Sequence, residues 1–393
     1  VKKIAFAVEK FSRQAGGAES YAVSLASTLV EYGWEVHLYG KTWDGEPSGA
    51  IFHKISIPGF LPNWATAVLF AIKHKKMVTA EQFDVIVGFG NTLYMNVYQS
   101  HGGVHWYSTN RKVFAERSTI ARFIKRFINV ISITKWARSW IESAPFRLNP
   151  RPRIIAISGM ILEDMESFFH VKKNDIDVVY NGVDVTKYNL ELQQRSREPL
   201  RERLRIPEDD VVFLFISYDL KKKGIVSLVE AASLLKSSGQ ENFKIIIVGG
   251  LPYSSLSRLI KHRGLGDFII FTGRTPSAEE YYAGSDVFVL PTYYDACSLV
   301  VIEAMACGLP SITTTYNGVS GIMTDGKDGF IIPHPPDPAD LADRMRLLMI
   351  PERREQMSQE ASHTGKMYTT ERNHEEMMAI FHEVANSTEK RPE

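Results

Sequence analysis

Two acids eight residues apart, Asp295 and Glu303, stand in a stretch with no other charge, Leu290–Pro310, read LPTYYDACSLVVIEAMACGLP. The run Val287–Leu290 ends as a strand at Pro291, and a helix from Leu299 to Ala306 is stopped by Gly308 and Pro310. Glu303 lies among Val300, Val301, Ile302, Ala304, Met305 and Ala306, so its helix is apolar nearly all round and expected to be buried. A carboxylate there is costly without a partner. On one continuous helix the two acids would sit about 80° apart and roughly 12 Å along the axis. Asp295 is therefore assigned to the loop before the helix. The pair then grips the two ends of an elongated polyhydroxylated ligand, with the free N–H groups of Ser298, Leu299 and Val300 between them facing an anion. Acid, anion site, acid suits a sugar, a diphosphate and a ribose in series. The ordinary alternative is a plain strand–loop–helix unit, with Ser298 as N-cap and Glu303 neutralised by a nearby Arg or Lys.

Other stretches offer matching chemistry. Ser217–Gly224 carries Lys221, Lys222 and Lys223 between a strand and the helix Ile225–Lys236. Lysines at the carboxyl edge of a doubly wound sheet suit a pyrophosphate and stabilise it as a leaving group; an exposed basic turn is the alternative. Gly249-Gly250, Gly273-Arg274 and Asn317-Gly318 fall at strand ends on the same predicted side. After the first strand, Gln14-Ala15-Gly16-Gly17-Ala18-Glu19 precedes a helix from Ser20 to about Glu31, and two glycines there allow close approach to a phosphate or sugar, or make a plain turn. His101 and His105, in a glycine-bearing loop, suit the lining of a cleft or ordinary structural roles. No further His or Cys stands at metal-ligand spacing from them, so no metal is expected at the site.

The segment Arg111–Arg153 is different in kind. Eleven basic residues face only Glu116 and Glu142, a local +9 in a chain of net charge +1. Phe114, Ile120, Phe123, Ile124, Phe127, Ile128, Ile131, Trp136 and Trp140 recur at helical spacing among them. A basic amphipathic helix bearing aromatics suits an anionic membrane surface. No nucleic-acid-binding module accompanies it, so nucleic acid is not expected as a partner. A solvated helix packed on its own domain is the plainer reading.

These residues need a scaffold. At 393 residues, 44% hydrophobic and 23% charged, the chain is expected to form two domains. Two cysteines, Cys297 and Cys307, suit a reducing compartment rather than a disulfide framework. No stretch reaches membrane-span length, and the start reads as a strand rather than a signal peptide. Strands are expected at Ile4–Val8, Val36–Tyr39, Val85–Gly88, Ile154–Ile157 and Val178–Tyr180, then at Val211–Ile216, Ile245–Val248, Ile269–Phe271, Val287–Leu290 and Ile312–Thr314. Continuous Val/Ile/Phe runs mean parallel sheets covered on both faces. The fold class is α/β, two doubly wound Rossmann-like domains. The boundaries are 1–190, 191–370, and a C-terminal helix and tail at 371–393 that packs back on the first domain. The polar stretch Leu190–Glu208 is expected to be the linker.

The combination resembles the retaining glycosyltransferases of family four, which have the GT-B fold with two domains facing across a cleft. Gly16-Gly17-Ala18-Glu19 is similar to the family's glycine loop, Asn181–Asp184 to a turn before its linker, and Lys222-Lys223-Gly224 to its basic pair. The opening stretch is similar to its Glu-x7-Glu element. Thr42-Trp43-Asp44-Gly45 looks most like the branch of lipopolysaccharide core glucosyltransferases. The resemblance implies that Glu303 binds the donor ribose and Asp295 the transferred sugar. Leu299, Val300, Lys222, Lys223 and Gly17 would meet the diphosphate, and Arg274 would line the base pocket. Gly16, Gly17, His101 and His105 would face the acceptor, with His105 or His101 as the cleft histidine; Asp295, Lys222, Lys223 and His105 would carry the catalytic work. It implies retaining, metal-independent hexose transfer without a cofactor, from a nucleotide sugar, UDP-glucose, to a lipid-linked glycan such as the lipopolysaccharide core. The enzyme would be cytoplasmic and peripheral on the inner face of the membrane. Asp for the usual Glu at 295 bears on the donor sugar, and Lys for Arg at 222 loses a bidentate fork. A nucleotide-sugar epimerase, or a non-catalytic membrane-binding relative, is the alternative.

Overall fold

Apolar runs too continuous for a one-sided sheet form two parallel sheets. The computed structural model describes residues 1–12, 17–116, 118–275 and 277–389. The chain divides into two compact units. One holds Val1–Val113, Ser118–Tyr180 and Arg372–Glu393; the other holds Phe114–Arg117 and Asn181–Glu371. Gln14, Ala15, Gly16 and Arg117, named above, lie outside the described residues.

In the first unit seven parallel strands run in the spatial order Ile51–Lys54, Glu35–Gly40, Lys3–Ala7, Val85–Gly88, Val97–Ser100, Arg153–Ala156, Ile176–Val178. The chain winds outward from Lys3–Ala7 in one direction, then returns to its other side, so the switch point lies between Lys3–Ala7 and Val85–Gly88. Strand alternation sorts the side chains. Ile4, Phe6, Val36 and Leu38 join a core with helix Gly17–Glu31 and with Met377, Ile380 and Phe381 of helix Thr370–Glu389. His37 and Tyr39 point to the other face, where Tyr39 meets His74 of helix Asn63–Val78 at 5.6 Å between ring centroids. Two strands not expected from the sequence complete the sheet. Ile51–Lys54 begins and ends on exposed residues, and Val97–Ser100 buries the polar Gln99 and Ser100, so neither reads as an apolar run.

The second sheet has six parallel strands in the order Ile269–Gly273, Phe243–Gly249, Val211–Ser217, Val287–Leu290, Ser311–Thr314, Gly329–Ile332. Its switch point lies between Val211–Ser217 and Val287–Leu290. Helix Leu299–Ala306 buries Val301, Ile302, Ala304, Met305 and Ala306. It lies against helix Pro351–Met367 so closely that a Cβ on Gly365 would come within 2.4 Å of the Ala306 nitrogen.

The expected linker at Leu190–Glu208 is instead built into this unit, with helix Glu191–Leu204 packed on helix Glu279–Ala283. Its polarity misleads because Arg201, only 2% exposed, is fully engaged. Its guanidinium donates to the carbonyls of Gly284, Pro207, Glu208 and Asp210 and to Asp286 at 2.6 Å.

The basic segment forms two helices, Thr119–Ile131 and Ile133–Glu142, that break at Ser132. The stripe Ile120, Phe123, Ile124, Phe127, Ile128 and Ile131 faces outward, with Ile120 74% and Phe123 72% exposed, while Asn129 is the buried residue. Trp136 and Trp140 continue the exposed apolar surface. This is the reverse of a helix packed on its own domain through its apolar side. Among the described residues no helix is long and apolar enough to cross a membrane.

Candidate functional site

In the second unit Asp219, Lys222, Lys223 and Asp295 gather at the carboxyl ends of the two strands flanking its switch point. After Ser217 the chain turns through Asp219 and the lysines and enters helix Ile225–Ser237 at Gly224, whose φ is +83°. A Cβ there would lie 1.9 Å from the Pro291 carbonyl oxygen, so glycine lets the lysine loop lie against the end of the neighbouring strand. The Tyr293 N–H donates to the Lys222 carbonyl at 3.1 Å, fastening the two loops.

Lys223 Nζ consequently pairs with Asp295, each about a quarter exposed, while Lys222 Nζ pairs with Asp219. Asp295 is fixed by its backbone: its N–H donates to the Tyr316 carbonyl at 2.9 Å, and its carbonyl accepts from Gly318 at 2.8 Å. Asn317, fully buried, supports the same turn, its Oδ1 accepting from Ser298 and Val319 and its Nδ2 donating to Thr313. Ser298 is the N-cap of helix Leu299–Ala306 but makes no side-chain cap. The N–H groups of Leu299 and Val300 find no acceptor among the described residues and are the free donors that an anion requires.

Glu303 is half-buried, and among the described residues no cation is paired with it. Tyr282, fully buried, donates from its hydroxyl to Glu303 Oε2 at 2.6 Å and also meets the Val300 carbonyl at 3.3 Å. Burial pushes the Glu303 carboxyl above its ordinary value, while the Tyr282 bond and the charge of Lys187 pull it back. Lys187 itself pairs with Glu279. The neutralising base of the ordinary alternative is thus absent among the described residues, and a tyrosine takes its place. Tyr282 precedes Glu303 by 21 residues, and no local pattern marks it. Arg274 is exposed, its guanidinium 5.2 Å from the centroid of the exposed Tyr218 ring.

The first unit has its own pocket at its switch point. Glu9, Gly90, Asn91, Ser100, His105 and Glu142 are among its lining residues. Helix His105–Arg111 starts there without a side-chain cap from Val104, and the buried Glu142 supplies one, each carboxylate oxygen 3.0 Å from the His105 nitrogen. Burial raises the Glu142 carboxyl to about 8, against the pull of that backbone bond. Burial, with Arg138, Lys135 and Lys112 nearby, lowers His105 to about 4, so its imidazole is neutral at pH 7. His101 packs on Tyr21 at 4.4 Å and Phe89 at 5.1 Å between centroids, and burial lowers it to about 3. The Nε2 atoms of both histidines, with Asn91 Oδ1 and Ser100 Oγ, are buried without a hydrogen-bond partner among the described residues. Gly17 is exposed at the start of helix Gly17–Glu31. Glu142, read in the sequence only as an opposing charge, is the pocket's buried acid.

Known proteins share this fold. The lipopolysaccharide glucosyltransferase WaaG of Escherichia coli (strain K12) is 22% identical over 323 residues, 81% of this chain and 82% of that protein. A crystal structure of WaaG, a glycosyltransferase involved in lipopolysaccharide biosynthesis, superposes with a TM-score of 0.79 at 20% identity, covering 96% of this chain and 99% of that one. Anabaena Alr3699/HepE, solved in complex with UDP and glucose, gives 0.67 at 18% identity over the whole of both chains. The family model described as Glycosyltransferase Family 4 matches residues 15–187, and that described as Glycosyl transferases group 1 matches residues 196–364. The two matches together take in most of the chain, which belongs to the group 1 glycosyltransferases of family four, enzymes of the GT-B fold that use a nucleotide-sugar donor.

Proposed function

We propose that this enzyme is a retaining hexosyltransferase that moves glucose from UDP-glucose to a membrane-associated glycan such as the lipopolysaccharide core. The observation that carries the donor assignment is the alignment of Lys223–Asp295, the free N–H groups of Leu299 and Val300, and Glu303 along one strand–loop–helix edge. Glu303, with Oε2 held by Tyr282, offers Oε1 to the ribose hydroxyls. Asp295 holds hydroxyls of the transferred sugar. Lys222, Lys223 and the helix start meet the diphosphate, and ammonium groups rather than a divalent ion neutralise it. Tyr218 and Arg274 offer a stacking surface to the base.

In the reaction the acceptor hydroxyl oxygen bonds to the anomeric carbon on the face the nucleotide leaves. The bond from that carbon to the β-phosphate oxygen breaks, and the acceptor proton passes to the departing phosphate. Neutral His105 and the pocket around Glu142 bind the acceptor's hydroxyls, and Gly17 lies close to it. UDP-glucose is favoured because a protein of this fold has been solved with UDP and glucose, and the lipopolysaccharide acceptor because WaaG matches over four-fifths of the chain.

The outward stripe of helix Thr119–Ile131 supports docking on an anionic leaflet, which would make the enzyme peripheral on the inner face of the cytoplasmic membrane. Burying a large apolar side chain is worth about 1.5–3 kcal/mol, and each Lys or Arg near the surface adds about 1 kcal/mol. Arg122, Lys125 and Arg126 lie among these residues.

Calorimetry with UDP-glucose, UDP-galactose, ADP-glucose and GDP-mannose, followed by transfer to lipid-linked acceptor, tests the assignment. UDP-glucose should bind tightest and be consumed only with acceptor present. Binding of none of the four, or conversion of donor alone to an epimer, would overturn it.

A further inference from the structure

We propose that His37, His53 and Glu81, in the first unit and outside the glycosyl-transfer machinery, form a divalent-metal site of the zinc type. Sixteen and 28 residues separate the three, so no ligand spacing is visible in the chain. Strand register brings them together. His37 pairs with Ile51 and Tyr39 with His53 across adjacent parallel strands, so both histidines lie on one face of the sheet. Glu81 arrives in the loop between helix Asn63–Val78 and strand Val85–Gly88.

The donor atoms converge. His37 Nδ1 lies 2.8 Å from His53 Nε2 and 3.7 Å from Glu81 Oε2, and one donor atom from each residue falls within 4.8 Å of the others. Around a tetrahedral zinc with bonds of about 2.0–2.1 Å, ligand atoms stand about 3.3 Å apart. The triad is therefore already near the size of a three-ligand site. Accepting an ion requires the two imidazoles to part by about half an ångström. His53 can yield, because it lies on the short edge strand Ile51–Lys54 and is only half-buried.

The groups behind the ligands favour a metal over a chance pairing. His37 Nε2 meets Glu35 Oε1 at 2.9 Å, and Glu35 is itself paired with Lys3 at 2.8 Å. In the tautomer whose Nε2–H donates to that carboxylate, His37 turns its Nδ1 lone pair toward His53 and Glu81. A carboxylate behind a histidine is the usual support of a metal ligand. The Tyr39 hydroxyl approaches Glu81 Oε1 at 3.5 Å, leaving Oε2 turned toward His37. In the metal-free pair one imidazole proton bridges His37 Nδ1 and His53 Nε2. Moving that proton to His53 Nδ1 bares both lone pairs without changing the charge. Exposed Glu81 leaves an entry path and a fourth position for water.

The test is equilibrium dialysis of the full chain, stripped with chelator, against Zn²⁺, with Co²⁺ as a spectroscopic substitute. The wild-type chain should bind one Zn²⁺ saturably, gain thermal stability from it, and show visible ligand-field bands with Co²⁺. His53→Ala and Glu81→Gln alter accessible side chains, and their metal-free melting temperatures check folding. Each should weaken Zn²⁺ at least tenfold and abolish the thermal shift. Failure to bind Zn²⁺, or equal affinity in both variants, would overturn the site and leave a proton-sharing histidine pair only. None of these readouts involves sugar transfer, so the result is independent of the donor assignment.

Discussion

The two units carry the same winding and set polar groups beside the same kind of switch point, yet they leave those groups in opposite states. In the second unit most are engaged: Lys223 on Asp295, Lys222 on Asp219, Tyr282 on Glu303, and Asn317 on Ser298 and Val319. In the first, Asn91, Ser100 and His105 bring buried atoms to the pocket with no protein partner among the described residues. Buried polar groups are nearly always satisfied, so water or ligand hydroxyls must meet these. Under the proposed function, the contrast is a division of labour. A site for an invariant moiety, such as a nucleotide diphosphate, is prearranged down to its supporting bonds. A site for a glycan keeps its hydrogen-bonding capacity uncommitted.

The contrast can be broken by substitution. Glu303→Ala should have the largest effect, because two hydroxyl bonds to a charged group at about 1.5–3 kcal/mol each amount to about 10³-fold in kcat/KM. Normal turnover in that variant would end the claim that the second unit is prearranged around a ribose. Lys223→Ala should lower kcat about 10²-fold, with Lys223→Arg recovering much of it, since the positive charge stands beside Asp295. Steady-state kinetics at saturating donor separates the two.

A vesicle assay probes the first unit's outer surface. Phe123→Ser with Phe127→Ser should weaken partitioning onto anionic vesicles by about 10²-fold, from about 1.5 kcal/mol per ring left unburied. Reversal of Arg122, Lys125 and Arg126 to Glu should weaken it only at low salt. Equal partitioning of wild type and both variants would return the helix to the solvated reading.

The smallest effect sharpens the comparison from inside the pocket. Burial holds the Glu142 carboxyl at about 8, above its ordinary 4.5. Between those values the unfolded chain has released a proton that the folded chain keeps, so this residue's contribution to stability falls as pH rises and levels off above 8. Glu142→Gln should flatten that part of the melting-temperature profile. An unchanged slope would mean that the carboxyl is not buried as described.

The sheets were legible because burial on both faces writes itself as uninterrupted Val, Ile and Phe. The strand at Val97–Ser100 was not, because Gln99 is buried through a bond from its Nε2 to the Tyr21 hydroxyl. Glu191–Leu204 read as a linker because the reason Arg201 is buried lies 83 residues away, at the Gly284 carbonyl. Asp295 and Glu303 were visible as charges in an apolar stretch. Tyr282, the partner that replaces the expected base, was invisible because only the fold brings it to Glu303. The outward stripe at Ile120–Ile131 was visible as periodicity, but which side faced the protein was not, since the same spacing serves a helix packed inward.

Helix Thr370–Glu389 delivers Met377, Phe381 and Ala385 to the interior of the first unit, although more than 190 residues of the other unit are translated in between. During synthesis the Asn181–Glu371 portion has its whole sequence in hand before its elder sibling does. The amino-terminal sheet emerges from the ribosome with one flank covered by helix Gly17–Glu31 alone, and that core stays incomplete until residue 385 has cleared the tunnel. Nascent chains stalled before that point would be the natural clients of chaperones.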